Sequence, residues 1–139
     1  MNEGSCLCGA VRFEVDPPCR FCAHCHCQNC RRAHGAAFVT WVGYPAEQFR
    51  LTAGEDILVR YRTTTDATRS FCGTCGTTLF YEGPRWENEI HVARAVINGD
   101  IEQAPKAHVY VDHKASWHEI SGDLPLFGGK SGMEPLDDA

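Results

Sequence analysis

Apolar and polar residues alternate along this chain only over short stretches. Val11, Phe13 and Val15 alternate with Arg12 and Glu14. Ile57, Val59 and Tyr61 alternate with residues that include Arg60 and Arg62. A period of two predicts strands with one face buried. Ala37 to Val42 is apolar and carries Thr40 and Trp41. Thr77 to Tyr81, Ile90 to Ile97 and His108 to Val111 are further strand candidates. Pro17-Pro18, Gly43, Gly54, Gly83-Pro84 and Gly99 punctuate the gaps. No segment keeps a helical period over the length of an average helix. The best helical candidate, Gln28 to Ala37, is a turn or two long. The pattern predicts an all-β domain of short strands, without internal repeat or linker. From about Lys130 the chain turns polar and is expected to fray. The expected organisation is one domain over residues 1–129 and a tail over residues 130–139.

Charge and composition narrow the function classes. The chain has 139 residues, which suits one domain able to bury its own core. Its net charge is -5, with ten Arg and three Lys and no basic run, which disfavours a nucleic-acid partner. No cationic segment followed by an apolar stretch opens the chain, so no secretory signal is expected. No apolar run is long enough to span a bilayer, so no membrane partner is expected. The expected setting is the cytoplasm, where disulfides are rare and cysteines at short spacings read as metal ligands. The odd total of nine cysteines also suits a disulfide framework poorly.

Seven of those nine fall into three clusters: Cys6-Leu-Cys8-Gly9, Cys25-His-Cys27-Gln-Asn-Cys30 and Cys72-Gly-Thr-Cys75-Gly76. Four thiolates close one tetrahedral zinc, and three leave a second ion with an open position. Cys72 and Cys75 can turn both sulfurs toward one ion, and Gly76 permits the left-handed turn that follows. Cys6 and Cys8 are the natural second pair, since residues two apart in a strand point the same way. The competing reading of Cys72 and Cys75 is a redox dithiol, which lacks its usual βαβ context here. Cys25, Cys27 and Cys30 would bind one face of an ion. Its fourth ligand could be Cys22, Cys19, His24, His26, His34, a water or a substrate. With Cys22 the site is closed and structural; with a substrate it is open. Three thiolates on zinc make a weak Lewis acid, better suited to holding a thiolate than to generating hydroxide.

Other templates are missing. There is no Gly-x-Ser-x-Gly, no phosphate-binding Gly-rich loop and no His-Glu-x-x-His. The common ferredoxin spacings are absent too. Trp41, Tyr44, Trp86 and Trp117 could wall a pocket, although packing in the core or at turns is their ordinary use. Arg31-Arg32 could meet a carboxylate, or could simply be solvated.

The segments Gly4 to Phe13, Cys25 to Gly35 and Phe71 to Gly76 together resemble the glutathione-dependent formaldehyde-activating enzymes and centromere protein V. The stretch Pro105-x-x-His108-Val-Tyr-Val111 through Trp117 to Phe127 is similar to that family's closing pattern. The resemblance implies a β-tent of Mss4-like architecture, a single domain of short antiparallel strands stapled by zinc. It implies a structural zinc on Cys6, Cys8, Cys72 and Cys75 and a catalytic zinc on Cys25, Cys27 and Cys30. It also implies carbon–sulfur lyase-like chemistry that joins formaldehyde to the glutathione thiol. Two departures stand out: the chain is short, and Cys19 and Cys22 lie close to the second cluster.

Two functions therefore compete. One is a zinc enzyme acting on the thiol adduct of a small aldehyde, with His26 or His34 moving the proton. The other is a non-catalytic two-zinc module that docks a protein partner. An exposed apolar patch and a closed second zinc would favour the module.

Overall fold

The computed structural model of the chain describes residues 1–136. Its elements, in chain order, are β1 (Asn2–Ser5), β2 (Arg12–Val15), β3 (Phe21–Cys25), α1 (Gln28–His34), β4 (Val39–Pro45), β5 (Phe49–Ala53), β6 (Leu58–Arg62), β7 (Thr68–Cys72), β8 (Thr78–Glu82), β9 (Glu89–Ala93), β10 (His108–Val109), β11 (Phe127–Gly128) and β12 (Glu134–Pro135). The all-β class expected from the alternation is what the chain adopts, with one short α-helix among the described residues. The chain forms two compact units. One comprises Met1–Phe21 and Val42–Gln103; the other comprises Cys22–Trp41 and the chain from Ala104 onward.

The first unit holds two antiparallel layers. β1, β2 and β5 form one, in the order β1–β2–β5. The expected alternation places Phe13 and Val15 in the core, each 1% exposed, and turns Arg12 outward. A bulge between Arg12 and Phe13 shifts the β2–β5 register. The other layer runs β4–β9–β8–β7–β6, with β6, β7, β8 and β9 pairing as an antiparallel meander. Phe13, Phe49 and Phe80 meet at centroid distances of 4.9 to 5.7 Å, two of the three contacts edge-on. Phe13 and Phe80, which are fully buried, each contribute about 1.5–3 kcal/mol through burial, and the half-buried Phe49 less. Gly4 faces this cluster, and a Cβ there would collide with the Phe13 ring. β6 departs from the half-buried strand that its alternation suggests. It is the last strand of its layer, and Val59 and Tyr61 remain 41% and 58% exposed.

The second unit is smaller and less regular. β10 pairs with β3 in parallel, His108 opposite His24 and Val109 opposite Cys25. This pair departs from the expected antiparallel arrangement. β10 reaches β3 after a long connection rather than a hairpin, and that allows a parallel approach. α1 begins immediately beyond Cys27, whose carbonyl accepts the Arg31 amide at 2.9 Å. It ends at Gly35 in a left-handed conformation, φ 61°. The segment expected to fray carries β12, which pairs antiparallel with β11. The rest of that tail, residues 137–139, lies outside the described residues. No helix among the described residues is long and apolar enough to cross a membrane.

Candidate metal centres

Two cysteine knuckles of the first unit face one another. Cys6 and Cys8 lie in the turn after β1; Cys72 ends β7 and Cys75 follows it. All four sulfurs lie within 4.8 Å of one another. Cys6 and Cys8 are 3.6 Å apart, and Cys8 and Cys72 are 3.8 Å apart. Zinc–sulfur bonds of about 2.3 Å give tetrahedral edges of about 3.8 Å, so this set fits zinc.

The two turns are built alike. Gly9 and Gly76 both adopt φ 80°, which closes each knuckle without a Cβ penalty. The Gly9 amide donates to the Cys6 carbonyl at 3.2 Å, and the Gly76 amide to the Cys72 carbonyl at 2.8 Å. Amide protons also point at the sulfurs: Val11 donates to Cys6 at 3.3 Å, while Thr74 and Cys75 donate to Cys72 at 3.3 and 3.4 Å. The Thr77 hydroxyl lies 3.2 Å from Cys75 and, with the Thr77 backbone, holds that thiol down to about 5. The same hydroxyl accepts the Leu7 amide at 3.0 Å, joining the two knuckles. Donors aimed at sulfur favour thiolate, the ligating form.

The second cluster lies where β3 runs into α1 in the other unit. Cys25 ends β3, Cys27 caps the helix without a side-chain hydrogen bond, and Cys30 is the buried residue of the helix. The Cys25 and Cys30 sulfurs are 3.7 Å apart, again a tetrahedral edge. Hydrogen bonds from Cys25 and Cys30 drive the Cys27 thiol far below its ordinary range. Hydrogen bonding with Cys27 and Cys30, together with burial, drives Cys25 far above it. Neighbouring thiols oppose one another's ionisation, and a divalent cation bound among them would let all three ionise. This donor set suits zinc. Among the described residues, the four-cysteine set is the group whose ligand atoms all lie within 4.8 Å of one another; Cys25, Cys27 and Cys30 do not make such a group, with or without Cys22 or a histidine.

The remaining candidates separate. Cys19 belongs to the first unit, where its amide donates to Glu102 Oε2 at 2.8 Å. Cys22 is buried in β3, and its carbonyl accepts the Lys106 amide at 2.9 Å. His34 lies on α1 and packs edge-on against Trp41 at 5.1 Å. Trp41 and Tyr44 are core residues, and Trp86 packs on His91, whereas Trp117 is 73% exposed rather than packed. Arg32 is exposed and Arg31 partly so.

A histidine cluster escaped the sequence reading. His24, His26, His108 and His118 gather around Phe38, with ring centroids 5.1, 5.2, 6.5 and 5.5 Å from it. His26 is completely buried, and burial, then His108, His118, His24 and Lys114, bring it down to about 4. Burial also lowers His24 and His108. The clue was the close spacing of His24 and His26, but only the fold brings His108 and His118 to them.

Residues 1–113 match the family model for glutathione-dependent formaldehyde-activating enzymes. A Halomonas elongata protein, provisionally named as such an enzyme, is 30% identical over 125 residues, covering 85% of this chain and 80% of its own. An uncharacterised lyase of Schizosaccharomyces pombe is 26% identical over 132 residues, covering 90% of this chain and 89% of its own. The crystal structure of a Rhodobacter sphaeroides protein superposes with a TM-score of 0.61 at 28% identity, covering 72% of this chain and 91% of that one. The matched region contains all seven clustered cysteines, and the chain belongs to the glutathione-dependent formaldehyde-activating enzyme family.

Proposed function

We propose that this protein is a zinc-dependent, carbon–sulfur lyase-like enzyme that makes or breaks the adduct between a small thiol and a small aldehyde. Glutathione and formaldehyde are the pair suggested by the family to which it belongs. The observation that carries this reading is the placement of Cys25, Cys27 and Cys30 where β3 runs into α1, with the Cys25 and Cys30 sulfurs 3.7 Å apart. Membership in a family named for an enzyme favours catalysis over the docking module.

In this reading Cys6, Cys8, Cys72 and Cys75 hold a structural zinc, and Cys25, Cys27 and Cys30 hold a catalytic one. A zinc ion on the trio would supply a place for a sulfur ligand and would lower the pKa of a thiol. The chain's part is to hold the reacting groups together. Addition of a thiol to an aldehyde is already feasible in water, so proximity supplies much of the rate. The balance is simple: the sulfur lone pair forms the carbon–sulfur bond, and the thiol proton ends on the former carbonyl oxygen. A buried imidazole such as His26 is the candidate to carry that proton. A cytoplasmic setting suits this chemistry, because glutathione is kept reduced there.

Magnetisation-transfer NMR on glutathione and formaldehyde at equilibrium tests the proposal. The zinc-loaded protein should raise the exchange rate between free and adduct carbon, and Cys27→Ser should return it to the uncatalysed value. A fully loaded protein that leaves the exchange rate unchanged sinks the enzyme reading.

A further inference from the structure

His26 sits between two members of the cysteine trio and is the most buried of the clustered histidines. It is tied twice to the two-residue strand β10. Its ring Nε2 lies 2.9 Å from Nδ1 of His108, and its backbone amide donates to the Val109 carbonyl at 3.0 Å. The rings of His108, Phe38 and His118 pack about it at 5.1, 5.2 and 6.5 Å. Its other ring nitrogen, Nδ1, is buried without a hydrogen-bond partner.

A buried, unpaired polar atom costs stability, and an apolar ring of similar size would avoid that cost. Packing therefore does not account for an imidazole at this position. What an imidazole does here, and an apolar ring could not, is bond to His108. Backbone and side chain then fix one residue to the same strand, and the sulfurs on either side of it inherit that placement. β10 is two residues long and gives only a short backbone ladder, so a side-chain tie matters more here than in a long strand.

We propose that His108 is a positioning residue for the second metal centre. Its hydrogen bond to His26 fixes the segment from which Cys25 and Cys27 present their sulfurs. The inference rests on the reading that Cys25, Cys27 and Cys30 hold a metal ion. Groups hydrogen-bonded directly to metal ligands change affinity by roughly 10–100-fold when lost, and His108 acts through one more residue, so its effect lies at the low end of that range.

Cobalt tests this without reference to activity. The whole protein is loaded with cobalt, its visible spectrum is recorded, and the metal is withdrawn by a competing chelator. The four-cysteine set serves as an internal reference, with Cys27→Ser protein supplying its spectrum alone. His108→Ala should weaken second-site cobalt by about 10-fold and alter that site's bands, leaving the first site unmoved. His108→Asn places an amide near the position of the lost Nδ1 and should recover most of both. The proposal is overturned if His108→Ala keeps the second-site affinity and spectrum. It is overturned equally if both variants weaken the site alike, or if both sites fail together. Wild-type protein that takes up one cobalt would sink the metal reading itself, and this inference with it.

Discussion

Cys72 and Cys27 are both candidate ligands, yet the chain around each is arranged differently. Cys72 is wholly buried, and its sulfur accepts two backbone amides. Removing it leaves three thiols and two amide donors without their partner in the first unit. Structural zinc contributes about 10–16 kcal/mol in small peptides, though a larger core shares that burden. Cys72→Ser is therefore expected to melt early or aggregate, as read by thermal denaturation. Cys27 is partly exposed at a helix start, where its carbonyl already accepts the first helical hydrogen bond. Cys27→Ser keeps that bond and should stay folded while losing one metal ion. Equal melting of the two variants would contradict a structural role for one centre and a catalytic role for the other. The grouping of Cys72 with Cys75, Cys6 and Cys8 was legible in the sequence, because thiols at short spacings point to a shared ion. The His26–His108 pair was not, since 82 residues separate partners that only a parallel strand pair brings together.

At the level of elements, legibility followed alternation and burial. β2 and β8 were expected close to where they lie, because their buried positions recur with a period of two or form an apolar run. β1, β5 and β7 were not foreseen. β5 does alternate, Phe49 and Leu51 against Arg50 and Thr52, and that signal was overlooked; β1 is polar apart from its glycine and β7 buries a serine, so neither of these two carries the expected signature. Tertiary pairing outweighed propensity in both. α1 was expected over a slightly longer span, and its end is set by Gly35. A Cβ on Gly35 would meet nothing within 4 Å, so only the left-handed backbone resists substitution. Gly35→Ala should cost about 1–2 kcal/mol in denaturant unfolding, and Gly35→Asn less. A much larger loss in Gly35→Ala would mean that the helix end is held by packing rather than by its backbone angle.

For the whole molecule, the expected inventory is two zinc ions per chain, one in each compact unit. Elemental analysis of protein purified without added metal should give a ratio near two. A chelator should remove one ion readily, from the three-sulfur centre, and the other only with unfolding. A ratio near one, not raised by added zinc, would leave the four-cysteine set as the sole centre. The fold class was legible at this scale because strand periods and turn residues agree throughout the chain. The division into units was not, since two of its three boundaries fall inside β3 and β4 rather than in a linker of distinct composition.

The two centres also differ in when they can exist. Cys25 and Cys30 are five residues apart in the chain, so the three sulfurs of that cluster are synthesised almost together. Cys8 and Cys72 are 64 residues apart, so the first knuckle waits until half of the chain has been made. At about 5–20 residues per second, that wait lasts roughly 3–13 seconds. Through that interval Cys6 and Cys8 are nascent thiols without their partners, open to oxidation or to a borrowed metal. The centre that matters most to the finished fold is thus the later of the two to be secured at birth. Scarcity of zinc during translation should damage the yield of folded protein before it affects the activity of molecules already made.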